Sequence, residues 1–559
     1  MNQKTKITLL YLSSIIVYSI ITSLFTSTVH IDVDEELYVA LAKSFHYNGR
    51  FEYGNQLLDY SCVLYSMLIS LAYYFYSPPT ILFSMRMIGV IVMCSSIFPI
   101  YFLARDIIRD EKKAFTLSIF FCIMPYMFDS AYLMQEVLSY PLFMWTLYFL
   151  YKTYEEKNRR KNVYLILAAL FSVLCVFTKT YMFFIPITLN LCIMYYVMKG
   201  KRKKEYIGST AIYDGIYLIL FVAMYFLVYA INGFEQGSNH YSSQISRLFP
   251  IGLNTIIFGA IGCGIYLAFL IINTGFLPIG VVFDKWHHEK EKSWFINFVV
   301  ISIVFLILEI VFMIVLTEEG TGTLPHKFLF RYFQIFVPPI LILFIKYKDE
   351  SKLISSLKYI ITMEATLGIA LIYFILMQGK TRQAIIDGHL FLFLENAARY
   401  IVPYADVIVM ILLMSILIVI YLWFGKKNEN VQTILRATVV GMMFFWIVEV
   451  IQLPYYNNVI AGGKQIQNDS IKIAEYLNKE NYEYIYYIYK DEEEQNSYMR
   501  NFYGYVKQPY QVVSKADVSD LLHQKQKMAL LTCGDLSAYD EKLTKLDLGN
   551  ESLFLYILQ

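Results

Sequence analysis

At 559 residues, with 57% hydrophobic and only 16% charged residues, the chain is too apolar for a soluble protein. Soluble domains are about one quarter charged, and their apolar runs seldom reach membrane length. The net charge of +2 gives no indication of a nucleic-acid partner. None of the seven cysteines belongs to a CxxC pair, so neither a disulfide framework nor a zinc knuckle is indicated.

Apolar runs of membrane length, separated by short charged loops, predict about thirteen transmembrane helices. In chain order they are 7–27, 80–104, 113–128, 137–152, 162–178, 180–198, 207–231, 254–283, 294–316, 328–346, 359–378, 403–424 and 433–453. Lysine and arginine are concentrated in alternate loops, including residues 105–113, 157–161 and 199–204. By the positive-inside rule, these loops and the N-terminus are cytoplasmic, and an odd number of helices places the C-terminus outside.

The first outer loop, residues 28–79, begins with the acidic stretch HIDVDEELYV, where the first helix leaves the membrane. Later in this loop the run 61–77 is apolar but short, and counting it as a span would reverse every later loop against the charge rule. We therefore predict a helix lying in the membrane interface. Its predicted anchors are Tyr65, Tyr73, Tyr74 and Tyr76.

The composition changes near residue 455. Residues 464–559 alternate helix-like pieces such as SIKIAEYLNKE with strand-like pieces such as YEYIYYIYK. The predicted fold class is therefore an all-α polytopic membrane protein with a small C-terminal extracytoplasmic α/β domain. The transmembrane module would span 1–455 and the second domain 456–559. The second domain has no Gly-rich phosphate loop, which favours a role as a lid or packing domain.

Several further ionisable residues are predicted at the same outer surface. They include Asp59, Glu136, Lys179, Lys327 and Arg331. Charges in apolar segments are costly and commonly mark a substrate path. Carboxylates on one side and cations on the other would suit an anionic lipid headgroup and a second substrate. The structural alternatives are that the acids stabilise helix N-termini and that Lys179 extends to the interface without another role.

Residues 34–51, DEELYVALAKSFHYNGRF, resemble the first-loop signature DExxYxxxAxxxxxxG of the GT-C glycosyltransferases. The most similar branch contains the protein O-mannosyltransferases and the aminoarabinose transferases. Four later segments resemble that branch in the same order: YFLARDIIRDEKKAF, YLMQEVLSYP, VFTKTYMFF and HKFLFRYFQIF. The resemblance implies a GT-C type fold of about thirteen helices followed by a small outer α/β domain.

The resemblance also implies a reaction, namely inverting transfer of a sugar from a polyprenyl phosphate to an acceptor outside the cytoplasm. Asp34 matches the catalytic base, which takes the proton of the acceptor hydroxyl. Glu35 matches the second acid of the motif and is also assigned to catalysis. Tyr38 matches the tyrosine of the motif and is assigned to substrate binding. The acceptor is a lipid, a glycan or a protein.

The remaining site residues follow from the same resemblance. Asp59 lies where aminoarabinose transferases carry an acid that can bind a divalent metal together with the first-loop aspartate, here Asp34. Lys179 and Arg331 would bind the lipid phosphate and stabilise it as it leaves. The predicted substrate-binding set is Tyr38, Asp59, Glu136, Lys179, Lys327 and Arg331.

Two positions depart from the pattern, because Leu37 and Tyr60 stand where some relatives carry phosphate-binding cations. Other cations available to replace them are Lys43, Arg86, Lys327 and Arg399.

Two other functions remain open. A lipid-linked saccharide flippase or transporter would carry mid-membrane ionisable residues and internal repeats, but no clear repeat is present. An envelope polysaccharide polymerase or ligase tends to place its basic residues in large late outer loops, whereas here the acidic loop comes first. We expect an integral protein of a bacterial plasma membrane, with a cytoplasmic N-terminus.

Overall fold

The computed structural model describes residues 2–25, 33–53, 56–57, 61–75, 77–155, 160–198, 203–232, 253–274, 276–288, 293–312, 327–328, 330–348 and 350. Further on it describes 365–366, 368, 385–386, 464–480 and short stretches between 482 and 558. In the first part the helices are α1 (Gln3–Phe25), α2 (Val33–Asn48), α3 (Leu64–Ile69), α4 (Pro78–Cys94), α5 (Ile97–Ile108), α6 (Glu111–Cys122), α7 (Glu136–Tyr154), α8 (Lys161–Thr178), α9 (Phe184–Met198), α10 (Lys203–Ile231), α11 (Leu253–Thr274), α12 (Phe276–His288), α13 (Trp294–Ile310) and α14 (Val337–Tyr347).

Short 3₁₀ turns and two-residue strands lie between these helices. The 3₁₀ turns are Ser70–Tyr74, Pro125–Ala131, Thr180–Phe183 and Phe330–Phe336. Strands β1 (Glu52–Tyr53) and β2 (Gln56–Leu57) form an antiparallel hairpin after α2. Strand β3 (Lys327–Phe328) pairs in parallel with β4 (Ile385–Ile386).

Several helices have the length and apolar composition of membrane spans. Among the described residues, five stretches are long and apolar enough: Gln3–Ser23, Pro79–Ile108, Lys161–Thr178, Thr180–Met198 and Glu205–Ile231. Each overlaps a predicted span, and the chain is an integral membrane protein. The predicted spans 359–378, 403–424 and 433–453 lie almost entirely outside the described residues. The count of about thirteen spans therefore stays a prediction.

Helices α11 and α12 cover the predicted span 254–283 on both sides of residue 275, which lies outside the described residues. Another predicted span differs from the observed helices. The run 328–346 is not helical from its start, because α14 begins only at Val337 with prolines in its first turn. Proline lacks a backbone N–H and is tolerated in the first helical turn but not in the helix interior. Arg331 consequently lies in the 3₁₀ turn before α14 rather than one turn inside a helix.

The predicted interfacial helix is α3 followed by a 3₁₀ turn. Tyr65 and Tyr73 are buried in the protein, so the prediction that they anchor the helix in the membrane interface is wrong. Tyr74, by contrast, is 72% exposed. The reason is that α3 packs against α2 and α4, and an apolar run does not reveal which of its faces meets the protein. Tyr76 lies outside the described residues.

Helix α7 is buried along most of its length and packs against α4, α5 and α8. A helix that is apolar on all sides belongs in the interior of a bundle, and the sequence EVLSYPLFMWTLYFLYKTY has that character. Its first residue is Glu136. The central helix of the bundle therefore begins with an ionisable side chain.

The C-terminal part contains α15 (Lys464–Lys479), β5 (Tyr484–Tyr489), β6 (Tyr510–Ser514), α16 (Val518–Leu521), β7 (Met528–Thr532), β8 (Leu543–Leu546) and β9 (Phe554–Leu558). The strand order is β6-β5-β7-β9-β8, with β5, β6 and β7 parallel and β8 and β9 antiparallel to their neighbours. Helix α15 contacts α4 and buries Ile473, Ala474 and Leu477. The domain limits at 455/456 and the extracytoplasmic location stay predictions.

Candidate functional site

Helix α2 carries the acidic motif in its first turn. It begins at Val33, so Asp34 and Glu35 are its second and third residues, where negative charge is favourable next to the helix N-terminus. The helix ends before Gly49, whose positive φ of 67° is a typical left-handed helix terminator. The side chain of Asp34 lies outside the described residues.

The next two acids of the motif are buried and hold other segments. The Oε1 atom of Glu35 accepts a hydrogen bond from the backbone N–H of Leu133 at 2.6 Å. The Oε1 atom of Glu36 accepts one from the hydroxyl of Tyr53 at 2.9 Å. Both carboxylates are buried. Glu35 thus joins α2 to the segment that leads into α7, and Glu36 joins α2 to the β1–β2 hairpin.

Three predicted site residues meet in what we call the Glu136 cluster: Glu136, Lys179 and Arg331. Lys179 lies in the turn between α8 and the 3₁₀ turn Thr180–Phe183, and its Nζ donates to Glu136 Oε1 at 3.0 Å. The Nε of Arg331 lies 3.1 Å from the same oxygen. The side chains of Glu136, Lys179 and Arg331 are 7%, 10% and 17% exposed. The sequence predicted acids opposite the cations, whereas the structure joins them.

Charge pairing outweighs burial in this cluster. Burial alone would lower the pKa of Lys179, but the Glu136 carboxylate raises it above its ordinary value. Burial would raise the pKa of Glu136, but Lys179 and Arg331 lower it below its ordinary value. Glu136 and Lys179 lie at helix ends, outside the membrane-spanning segments. All three side chains are therefore charged near neutral pH.

An aromatic wall borders the two cations. The ring centroid of Tyr332 lies 5.4 Å from Lys179 Nζ and 5.6 Å from Arg331 Cζ, which are cation–π distances. The ring of Tyr181 packs against that of Tyr332, with centroids 4.5 Å apart. The Tyr332 ring therefore contacts both cations without using any of their hydrogen-bond donors.

Sequence reasoning missed the groups that fix the backbone around the cluster. Gln135 is fully buried, and its Nε2 donates to the carbonyl oxygen of Cys62 at 2.7 Å. The Sγ of Cys62 lies 3.1 Å from Thr180 Oγ1. These contacts join the start of α3, the start of α7 and the Lys179 turn. Gln135 and Thr180 adjoin predicted site residues in sequence, but no spacing pattern pointed to Cys62.

Tyr65 and Arg86 also belong to this end of the bundle. Tyr65 is fully buried, and its pKa is raised by burial and then by the nearby carboxylates of Glu35 and Glu136. Arg86, on α4, is buried and close enough to influence the same hydroxyl. Arg86 was one of the cations named as replacements for those missing at Leu37 and Tyr60.

The other predicted residues are located as follows. Tyr38 is buried, and its ring contacts Tyr65 edge-on at 6.0 Å. Asp59 and the side chain of Lys327 lie outside the described residues, as does Arg399. Within the described part of the chain, no group of three or more His, Cys, Asp or Glu could hold a metal ion. The predicted metal pair of Asp34 and Asp59 is not among those side chains and stays a prediction.

No known protein family matches the sequence, and no curated protein matches it either. Similarity appears when the structure is compared with solved structures. ArnT from Cupriavidus metallidurans bound to undecaprenyl phosphate superposes with a TM-score of 0.57 at 12% identity, over 98% of this chain and 97% of that one. The same ArnT in the apo state gives a TM-score of 0.57 at 12% identity, over 100% and 98%.

A third structure matches more loosely. The oligosaccharyltransferase AglB from Archaeoglobus fulgidus, in complex with an inhibitory peptide and a dolichol-phosphate, gives a TM-score of 0.44 at 14% identity, over 89% of this chain and 64% of that one. The two ArnT structures, matched over nearly their whole length, confirm at the level of fold the resemblance read from the first-loop signature. The chain has the fold of these ArnT structures.

Proposed function

We propose that this chain is a membrane glycosyltransferase, which moves a sugar from a polyprenyl-phosphate donor to an acceptor hydroxyl on the extracytoplasmic side. The observation that carries the proposal is the Glu136 cluster. It gathers the buried Lys179 and the partly buried Arg331 at the end of the bundle where Glu35 fastens the first turn of α2. The fold supports the proposal, because the ArnT structure of the same fold was determined with undecaprenyl phosphate bound.

Lys179 and Arg331 bind the phosphate of the donor. The guanidinium group offers a planar pair of donors suited to two phosphate oxygens, and the ammonium group adds a point charge. Negative charge builds up on the phosphate as the bond to the anomeric carbon breaks. Cations already fixed in a buried site stabilise that charge without reorganising, which is commonly the largest contribution to catalysis.

Asp34 is the general base. It takes the proton from the acceptor hydroxyl as that oxygen attacks the anomeric carbon opposite the leaving phosphate, and a single displacement of this kind inverts the configuration. The hydrogen bond from Leu133 to Glu35 supports a positioning role for Glu35, since its carboxylate is engaged in holding the first turn of α2. Tyr38, Lys327 and Glu136 complete the substrate-binding set.

The proposal retains the divalent metal implied by the resemblance. Two carboxylates, Asp34 and Asp59, offer oxygen ligands, which suit a hard or borderline divalent cation. A bound cation would add positive charge beside the donor phosphate. The proposal also retains the lid or packing role of residues 456–559 and the location in a bacterial plasma membrane.

The test uses the purified full-length protein in lipid nanodiscs with a panel of undecaprenyl-phosphate sugars, and follows release of undecaprenyl phosphate. Asp34→Asn should lower turnover by about 10²- to 10⁴-fold, the usual contribution of a general base. The matched control is Glu36→Gln, which makes the same change of charge on the same helix but keeps an oxygen for the Tyr53 hydroxyl.

Two outcomes would contradict the proposal. Full activity of Asp34→Asn would show that Asp34 is not the base. Movement of intact lipid-linked sugar across the bilayer, with no donor consumed, would favour the transporter function instead.

A further inference from the structure

Glu136 engages, through one oxygen, both cations that the proposed function assigns to the donor phosphate. Its Oε1 lies 3.0 Å from Lys179 Nζ and 3.1 Å from Arg331 Nε. A phosphate oxygen bound by both cations would occupy the same place. A carboxylate and a phosphate cannot share it, because like charges in contact repel strongly in a poorly solvated site. At the position between Lys179 Nζ and Arg331 Nε, the two anions must therefore alternate.

We propose that Glu136 is an internal competitor of the donor phosphate. Its carboxylate and the phosphate exchange on Lys179 and Arg331, and this exchange limits the affinity for the donor and drives out the polyprenyl-phosphate product. The inference rests on the proposed function and assigns Glu136 a role in the site beyond binding substrate.

In the structure, only one of the two carboxylate oxygens of Glu136 contacts the cations. Both cations contact Oε1, and Oε2 is buried yet accepts no hydrogen bond from the described residues. A buried acceptor without a hydrogen bond is energetically unfavourable. A phosphate brings several oxygens to the same two cations and can use more of their donors. The arrangement with Glu136 on the cations is thus stable enough to form and weak enough to be displaced.

The cations do not depend on Glu136 alone for their positions. The ring of Tyr332 lies beside both Lys179 and Arg331. The hydrogen bond from Gln135 to the Cys62 carbonyl fixes the backbone next to Glu136. The proposed exchange therefore moves the Glu136 carboxylate and leaves the two cations in place.

Tyr65 provides a place for the displaced carboxylate. Its hydroxyl is fully buried and makes no hydrogen bond to the described residues. Burial and the charges of Glu35 and Glu136 raise the pKa of this hydroxyl, which stays protonated and able to donate. In the proposed exchange, the Tyr65 hydroxyl is the partner of Glu136 after its carboxylate leaves the cations.

The proposal predicts opposite effects for the two residues. If Glu136 leaves the cations accessible to phosphate for about one tenth of the time, its removal strengthens phosphate binding about tenfold. Glu136→Gln should therefore bind undecaprenyl phosphate about tenfold more tightly than wild type. Tyr65→Phe removes the alternative partner, keeps Glu136 on the cations and should weaken binding several-fold. A residue that only helped to bind substrate would give weaker binding in both variants.

The experiment titrates undecaprenyl phosphate into the full-length protein in nanodiscs of neutral lipid and counts bound lipid by native mass spectrometry. Glu36→Gln serves as the charge-matched control and should bind like wild type. Turnover of an undecaprenyl-phosphate sugar is measured on the same samples. In Glu136→Gln, inhibition by added undecaprenyl phosphate should become stronger and kcat should fall, because the product leaves slowly.

The outcomes separate this inference from the proposed function. If wild type binds undecaprenyl phosphate and Glu136→Gln binds it no more tightly, Glu136 is not a competitor, while the phosphate site stands. If wild type does not bind it, the phosphate assignment of Lys179 and Arg331 fails and both proposals are overturned. Should Glu136→Gln not fold, Glu136→Asp replaces it. Its shorter side chain reaches the cations less well, and binding no tighter than wild type would overturn the inference.

Discussion

Helix α7 has an ion cluster near each end, and the two clusters use their carboxylates differently. At the start of α7, one oxygen of Glu136 contacts both Lys179 and Arg331. Near the other end, about 24 Å along the helix at 1.5 Å per residue, Lys152 meets Asp106. There each carboxylate oxygen of Asp106 has its own cation: Lys152 Nζ lies 2.5 Å from Oδ2, and Arg105 Nη2 lies 2.8 Å from Oδ1.

The surroundings of the two clusters differ as well. The Asp106 cluster adjoins the basic residues 105–113, predicted to be cytoplasmic, and Arg105 is partly exposed. Tyr151 donates to the backbone carbonyl of Asp106. The Glu136 cluster lies instead among Glu35, Tyr65 and Arg86. A carboxylate with two cations therefore does not by itself mark a binding site. The Glu136 end is distinguished by two features: both cations contact the same carboxylate oxygen, and further buried polar groups lie nearby.

The largest expected effect separates the two lysines of these clusters. Lys179→Met should lower kcat/KM by about 10²- to 10³-fold, because it removes a fixed donor from the leaving phosphate. Lys152→Met makes the same chemical change at the Asp106 end. It should lower the melting temperature, because Asp106 loses a buried partner, while kcat/KM stays near that of wild type.

Both variants are measured as turnover of an undecaprenyl-phosphate sugar in nanodiscs and as thermal unfolding in the same lipid. Equal losses of activity at the two ends would break the comparison, because the Glu136 cluster would then be no more functional than the Asp106 cluster.

Substitution of Glu35 should have a smaller effect, and it tests whether this residue is catalytic. Glu35→Gln keeps an oxygen for the backbone N–H of Leu133, so we expect turnover to fall only a few-fold. Glu35→Leu leaves that N–H without its partner and should lower stability by about 1–3 kcal/mol, with activity falling as α2 loses its support. A loss of more than about 10²-fold in Glu35→Gln, with an unchanged melting temperature, would instead identify Glu35 as an acid or base of the reaction.

The sequence predicted the parts of the fold that depend on hydrophobicity along the chain. Five predicted spans coincide with helices of membrane length because an apolar run in a bilayer must satisfy its backbone internally. Prediction from the sequence failed where the burial of a residue depends on tertiary packing. Tyr65 and Tyr73 look like interfacial residues in sequence, but the faces that bury them are set by α2 and α4. The start of α14 was missed because prolines inside an apolar run were counted as part of a span.

The candidate site shows the same division. The first-loop signature drew attention to Asp34 and Glu35, and apolar context drew attention to Lys179 and Arg331. Pairing of these cations with Glu136 could not be read from the sequence, because the three residues come from segments far apart in the chain.

The smallest expected effect concerns a third buried lysine, Lys43 on α2, which contrasts with Lys179. Burial lowers the pKa of Lys43 to about 7, whereas Glu136 raises that of Lys179. An unfolded lysine has a pKa of about 10.4. Between these values the unfolded chain binds one more proton than the folded one, so stability rises with pH across that window.

From pH 7 to pH 9, Lys43 adds about 2 kcal/mol to the free energy of unfolding. Each unit of pH inside the window adds about 1.4 kcal/mol, but the gain is smaller close to pH 7, where the folded Lys43 is still partly protonated. The measurement compares the melting temperatures of wild type and Lys43→Met at the two pH values. Between pH 7 and pH 9 the melting temperature of wild type should rise by several degrees relative to that of the variant, since methionine fills a similar volume and does not titrate. Identical pH dependence in the two proteins would show that Lys43, like Lys179, is held in its charged form by neighbouring carboxylates.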